Sequence, residues 1–554
     1  MLSEQLNKLL LQAAVFLLLA RSIAAADAAG SAGAPTELGL EEFLQLVLEH
    51  NESLQVNLLE LEISRKRNLA EWGVFEPELV AAYSRVENDR QNTAQQQRSL
   101  GVTFFHEKNN VYDGGLEALV PTGARIRLGY NLQDLRNNLQ DPASGLVVTN
   151  AARREWLTFV GVTLSQPLLK NAWNSATLAS IRLAALASDI AYQEYRRQMM
   201  LILSTAEASY WNLYLTQEQV RFFRESVALA EDLVRDNRAR AEAGKGSDLE
   251  TLQAEAGLAL RKSKLSEAEQ KYRETSAQLR TLMSLPAGSD TFELKAREQP
   301  NPLTDLPSFQ LSGEKVLTHN PDYLIQQKKV AQEDVRVAYS KNQRLPQLDL
   351  KASYGLNGLG HSPSLSWDQA QSGDFPSLSV GVEMRVPLGG GMKSRNELAA
   401  ARLKKKEALL QFKDVETQVL NAVMVAVLKI KNSRETIENY RSVVRFDEDL
   451  LKTQMARLDV GKVESRKVLE VEGDLFEAKN SVLEATVQHA RARLELALVE
   501  GELLEARNLD LPQKELEQKT GQTFRRAGGS DERFKALMEE LKKRYAPPPG
   551  QKRE

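Results

Sequence analysis

Two glycine-rich stretches have the residue types of a phosphate cradle, and neither has its spacing. Gly389-Gly390-Gly391-Met392-Lys393-Ser394 lacks the adjacent Gly-Lys and the earlier glycine that let backbone N–H groups and a lysine converge on one phosphate. Gly244-Lys245-Gly246-Ser247 fails too: Gly246 follows the lysine where the motif needs serine or threonine, and Ala239 stands at the earlier glycine position. The five histidines are scattered, and no His/Asp/Glu cluster has metal-ligand spacing. His50 and His319 each precede an asparagine at a helix start, so capping or packing is expected of them. No Ser/His/Asp arrangement can be argued. The absence of cysteine excludes disulfides, thiolate metal sites, a cysteine nucleophile and a lipid-modified N-terminal cysteine. The reading is therefore of a non-enzyme that needs no cofactor.

The positions that repeat are structural. Leu378 to Gly391 alternates Leu378, Val380, Val382, Met384 and Val386 with Ser379, Gly381, Glu383 and Arg385. That is a strand with one apolar and one polar face, ended by Pro387, since proline cannot donate to a ladder. Gly389 and Gly390 follow, and then a long helical pattern. Val160 to Lys170 repeats the device, with Val160, Val162 and Leu164 on one face and Pro167 at the end.

The chain of 554 residues, 42% hydrophobic and 27% charged, can build a large core. Its net charge of −3 gives no reason to expect a nucleic-acid partner. Residues 1–26 read as an export signal: Lys8, an apolar run from Leu9 to Ala20, and small residues at Ala24-Ala25-Ala26. Residues 27–39 are expected to be flexible. Further segments lack the length and apolarity of a spanning helix, so entry into a membrane would be as a β-barrel.

Helices are expected over 40–49, 52–72, 171–243, 248–284, 311–318, 321–342, 394–460 and 464–508. The two longest hairpins turn at Arg240-x-x-x-Gly244-Lys245 and Arg457-x-x-x-Gly461-Lys462. Leu409, Phe412, Val419, Val423, Val427, Ile430, Ile437, Tyr440, Val444, Leu451 and Met455 fall on three- and four-residue steps, the mark of a coiled-coil seam. At each tip glycine can supply a positive φ and the basic residues favour the helix dipole.

The plan occurs twice. Val47-Leu48-x-His50-Asn51 recurs 269 residues later as Val316-Leu317-x-His319-Asn320, and Pro77 likewise as Pro346. Pro167 and Pro387 lie 220 apart, and Gly244 and Gly461 lie 217 apart. The fall in offset places about 49 additional residues in the first β region. These also alternate: Leu116, Ala118 and Val120, a turn at Pro121-Thr122-Gly123, then Ile126, Leu128, Tyr130 and Leu132. Short turns at one end and a long polar stretch, 133–154, at the other is the layout of an outer-membrane barrel. Parity favours six strands in the chain, with four as the runner-up. The first repeat is placed at 40–285, with its β region at 77–167 and its tip at 240–247. The second spans 311–508, with β region 346–387 and tip 457–464. Residues 286–310 form a linker, and 509–554 a charged, disordered tail.

Helix, strands, long helix, glycine tip and return helix, all doubled, resemble the TolC-like outer-membrane efflux proteins over about residues 40 to 508. The resemblance implies a mainly α fold with membrane β-strands. It also implies a homotrimeric α/β-barrel channel in the Gram-negative outer membrane, with a helical tunnel in the periplasm. It implies passive export of substrate handed over by a periplasmic adaptor (membrane fusion) protein and an inner-membrane pump of RND or ABC type. Residues 286–310 would belong to its equatorial region. The family's gate acids fall, counting from the tip glycines, on Glu250, Lys467 and Glu470; a lysine at 467, and Leu458 and Val463 at the family's tyrosine and arginine positions, depart from the pattern. The bland alternative is that Glu250 and Glu470 are ordinary solvated helix residues. Arg240, Gly244, Lys245, Arg457, Gly461 and Lys462 would meet the adaptor. Pro77, Pro167, Pro346, Pro387, Gly389 and Gly390 would mark the junctions of strand and helix. The competing reading is a periplasmic coiled-coil adaptor or stalk without a channel.

Overall fold

The computed structural model describes residues 36–101, 103–137, 154–243, 247–284, 294–301, 306–460 and 462–509. The expected export signal, Gly244, Lys245, Gly461 and all but the first residue of the tail lie outside them. The described residues fall into two compact units: up to 55, 199–315 and 421–509 in one, and 56–198 and 316–420 in the other.

The second unit holds six strands: β2 (Glu78–Gln91), β3 (Phe104–Leu119), β4 (Arg125–Leu135), β5 (Glu155–Pro167), β7 (Gln347–Gly360) and β8 (Pro376–Arg385). They pair in the order β2-β3-β4-β5-β7-β8, every pair antiparallel. Six, the larger of the two counts the sequence allows, is the number found. The β3–β4 turn is tight because Gly123 adopts φ +88°, and a Cβ there would stand 2.5 Å from the Asn171 carbonyl. Thr122 is locked to the end of β5: its Oγ1 donates to Gln166 Oε1 at 3.1 Å, and its carbonyl accepts from Gln166 Nε2 at 3.1 Å.

The expected helix over 171–243 does not start at 171. Asn171 and Trp173 take φ of +62° and +65°, and Trp173 N–H donates to the Thr122 carbonyl. The chain therefore turns before α4 (Asn174–Thr177) and α5 (Ala179–Glu242).

In the first unit, α5 pairs with α6 (Asp248–Leu282) through ion pairs Arg224–Glu269, Glu231–Lys262 and Arg238–Glu255 at 2.8, 2.8 and 2.5 Å. These residues step by sevens along both helices in opposite senses, as an antiparallel coiled coil requires. Each pair is part-exposed and contributes at most about 1 kcal/mol, so the ladder sets register more than stability. The second hairpin joins α10 (Met392–Asp459) to α11 (Ser465–Glu500), with Lys429–Glu495 and Glu448–Lys479 across it. Of the seam expected on α10, Val419, Val423, Ile430 and Ile437 are buried, while Leu409, Tyr440 and Met455 are exposed in the single chain. A strict heptad stripe drifts around a helix of 3.6 residues per turn, so one stripe cannot stay inside over 68 residues. The return helix stops at Glu500, short of the expected 508, because Gly501 turns left-handed at φ +80°; α12 (Leu503–Ala506) follows, with Leu503 and Leu504 buried.

Two expectations are corrected in this unit. Thr36–Leu38, placed in a flexible start, form strand β1, and Leu294–Ala296, inside the presumed linker, form β6; the two pair in parallel. Fully buried Tyr210 organises them. Its single hydroxyl proton is shared between the Leu38 carbonyl, at 3.0 Å, and the Glu298 carboxylate, and its oxygen accepts from the N–H groups of Arg297 and Glu298 at 3.1 and 3.2 Å. The Glu298 carboxylate also accepts from Leu40 N–H, the start of α1 (Leu40–His50). Burial pushes the Tyr210 phenol well above its usual range.

Candidate functional site

The sheet is two-sided through all six strands. One registered row reads Leu79, Leu116, Leu128, Val162, Tyr354, Leu378. Its members are 44–79% exposed, with the two edge residues highest. On β7 this face runs from Leu348 to Leu356, about 26 Å of strand at 3.3 Å per residue, or about 20 Å of height at a tilt near 40°, most of an apolar band about 25 Å tall. Tyr83 and Tyr112, with ring centroids 5.2 Å apart, mark its limit. Beyond them the same face carries Arg85, Glu87, Asp89 and Lys108, and a buried Asp134 held by Asn110, Arg136 and Arg154.

The opposite face is polar. Arg127 pairs with Asp113, and with Glu117 at 3.1 Å, while Asn131 donates to Asp113. On the far side Lys351 and Arg385 both pair with Glu383. Across this face runs a second row: Val80, Gly115, Gly129, Gly161, Gly355, Ser377. Four glycines in register let the strands approach and bend. A Cβ on Gly161 would stand 2.5 Å from the Tyr354 carbonyl, and the tip of the Phe159 ring occupies the space over Gly161 and Gly355.

Helix α9 (Pro363–Ser372) covers the end of β7 on the apolar side. Ser366 and Ala370 seat fully buried on Gly358 and Gly360, Thr158 Oγ1 lies 2.7 Å from Ser366 Oγ, and Trp367 meets Tyr130 edge-on.

The prolines sit where strands meet the rest of the chain. Pro77 and Pro346 immediately precede β2 and β7, Pro167 is the last residue of β5, and Pro387 lies just past β8. Gly390 N–H donates to the Pro387 carbonyl, and Gly390 and Gly391 both adopt φ +66°. A tight turn thus leads into α10, with Gly389 inside it.

At the hairpin ends the expected gate residues are not brought together. Lys467 and Glu470 pair with each other at 3.0 Å on the exposed first turns of α11, and Glu250 sits part-exposed at the start of α6. Arg457 and Lys462 close the second turn through their own backbone, Lys462 N–H to the Arg457 carbonyl at 2.9 Å. The link between the two hairpins is built from other residues. Buried Ser465 donates to Asn237 Oδ1 at 2.7 Å, and Arg240 reaches the Leu458 carbonyl at 3.4 Å. Leu233, Leu458 and Val468 form the core beside them. Further along, Arg261 of α6 donates to Glu472 of α11, to Ser226 Oγ and to the carbonyls of Gly257 and Leu469. A clue lay in the 217-residue offset, which makes Glu472 the repeat of Glu255, itself an ion-pair residue of the first hairpin. His489 is buried between α10 and α11 with Nδ1 2.9 Å from Ser433 Oγ. Burial, with Arg493 and Arg434 near, holds its pKa below the usual histidine range.

Among the described residues no helix is long and apolar enough to cross a membrane, and no His/Cys/Asp/Glu group is poised for a metal ion. An apolar face, a polar face behind it and strand ends that lead into paired helices are what a transport protein of the outer membrane requires. The chain belongs to the outer membrane efflux protein family, whose profile matches residues 128–284 and 313–502. It is similar to the proteases secretion protein PrtF of Dickeya chrysanthemi, 24% identical over 368 residues that cover 65% of this chain and 76% of that one. The alkaline protease secretion protein AprF of Pseudomonas aeruginosa is 25% identical over 325 residues, 58% of this chain and 65% of that one. Among solved structures, the Campylobacter jejuni CmeC outer membrane channel shares the fold at a TM-score of 0.57 and 15% identity, over 86% of this chain and 90% of that one. Proteins of this family act as exit ducts beside periplasmic adaptors and inner-membrane pumps.

Proposed function

We propose that this chain is the outer-membrane duct of a type I secretion assembly, that it works as a homotrimer, and that its cargo is a polypeptide. The observation that carries the trimer is the sheet with two open edges. A membrane-spanning sheet must close to satisfy its backbone, and six strands are too few to do so alone. The cargo reading is supported by the two protease secretion proteins among its sequence relatives. The duct opens where the hairpins end, and the Asn237–Ser465 and Arg261–Glu472 links hold it shut. The basic residues at the tips, Arg240, Lys245, Arg457 and Lys462, face the adaptor, while Glu250, Lys467 and Glu470 flank the opening. The energy comes from the pump, in keeping with a sequence that carries no nucleotide motif.

The test is complementation. Cells that hold a type I exporter and adaptor but lack their outer-membrane component would be given this chain. Appearance of the protease cargo in the medium is expected. Cargo retained in the cells while drug resistance is restored in an efflux-deficient strain would overturn the polypeptide reading in favour of small-molecule efflux.

A further inference from the structure

We infer that all six strands of each copy enter the barrel wall, and that the channel closes through pairing of β8 of one copy with β2 of the next, giving eighteen strands. The inference rests on the proposed trimer and adds to it the width and the seam of the barrel.

The first ground is continuity. The apolar row from Leu79 to Leu378 crosses β3 and β4, the additional hairpin of the first repeat, without a polar interruption. The glycine row on the other face crosses the same two strands at Gly115 and Gly129. A hairpin laid outside the wall would need neither a lipid-facing residue in register with its neighbours nor a glycine behind it. The turn of that hairpin is also tied to the end of β5 through Thr122 and Gln166, level with the other strand ends.

The second ground is the edges. β2 and β8 are the most exposed strands of the sheet, and their apolar residues stand open: Leu79 is 79% exposed and Leu378 72%. Open apolar edges invite pairing with another chain. The ladder alternates direction at every step, so β8 and β2 of successive copies meet antiparallel with no change of pattern.

Width follows from geometry. With strands about 4.8 Å apart and tilted near 40°, eighteen strands close at a backbone radius of about 18 Å, against about 12 Å for twelve. The cross-section enclosed by the backbone is then roughly twice as large.

The chain has no cysteine, so introduced thiols report without background. Cysteines replacing Val80, Ala82 or Ser84 on β2 would be combined with cysteines replacing Ser377, Ser379 or Gly381 on β8, all on the polar face. Outer membranes would be oxidised and run on non-reducing gels, with native mass spectrometry of the purified protein alongside. At least one β2–β8 combination is expected to give disulfide-linked dimers and trimers. A trimeric mass with no β2–β8 cross-link overturns the inference. Cross-links from β8 to a cysteine replacing Asn131 on β4 would identify a four-strand contribution instead. A mass other than a trimer would strike the trimer reading itself, separately from the strand count.

Discussion

Removing Glu472 should loosen the helical unit at one identifiable place. Its carboxylate and the Arg261 guanidinium are 9% and 13% exposed, so neither charge is well screened by water. In Glu472→Ala the guanidinium keeps Ser226 Oγ and the carbonyls of Gly257 and Leu469, all neutral acceptors. Leaving one partner of a buried pair uncompensated costs about 3–5 kcal/mol. At about 1.4 kcal/mol per tenfold, local opening should become roughly 10²-fold to several-thousand-fold more frequent. Amide hydrogen exchange is the assay, read on α6 around residues 255–266 and on α11 around 466–477, with α1 as the internal reference. Removing both charges, Arg261→Met with Glu472→Leu, should restore most of the protection, because a well-packed apolar pair can replace a buried ion pair. Exchange that changes less than about threefold in Glu472→Ala would refute the reasoning, as would a double variant worse than the single one.

Val380→Arg places a charge at the middle of the apolar face and should cost about 2–4 kcal/mol near the membrane midplane, whereas Ser379→Arg on the opposite face should be tolerated; the inserted fraction in outer membranes separates the two. Gly161→Val should block assembly, since its Cβ meets the Tyr354 carbonyl at 2.5 Å, while Gly381→Ala, with nothing within 4 Å, should assemble normally; fractionation reads both. His489 is held neutral, and its folded pKa lies below the unfolded value of about 6.5. The unfolded chain therefore takes up the proton first as pH falls, and stability present above about pH 6.5 is lost between there and the lower folded pKa. Urea midpoints at pH 7.5 and 5.0 should differ more in the parent than in His489→Gln; an equal difference in both would contradict the assignment.

Long-period features were readable from the sequence because they depend on spacing alone. The offsets of 269, 220 and 217 found the duplication, and the alternation around Pro121-Thr122-Gly123 found the inserted hairpin before any coordinates. What escaped was set by register or by distant partners. Gly115, Gly129, Gly161 and Gly355 look unrelated along the chain and become a row only once four strands are aligned. β1 and β6 are three residues each, too short to alternate, and exist because each satisfies the other and Tyr210 satisfies the backbone beside them. The tip charges were read through family positions, yet Lys467 binds its own neighbour while Asn237 and Ser465 make the contact. Short polar side chains that meet across 228 residues leave no periodic trace.

The glycine row also has a mechanical meaning. Registered residues follow the hydrogen-bond direction, so on tilted strands Gly115, Gly129, Gly161 and Gly355 trace a line that winds obliquely round the wall. Side chains stiffen a sheet by packing against their neighbours, and along most of this line there are none on that face. The wall's resistance to bending is therefore lowest there, with the Phe159 ring and the Arg127 side chain lying over the line as movable covers. Bending of the sheet is thus easiest across this oblique line, which leaves the strand ends at the helical junctions in place.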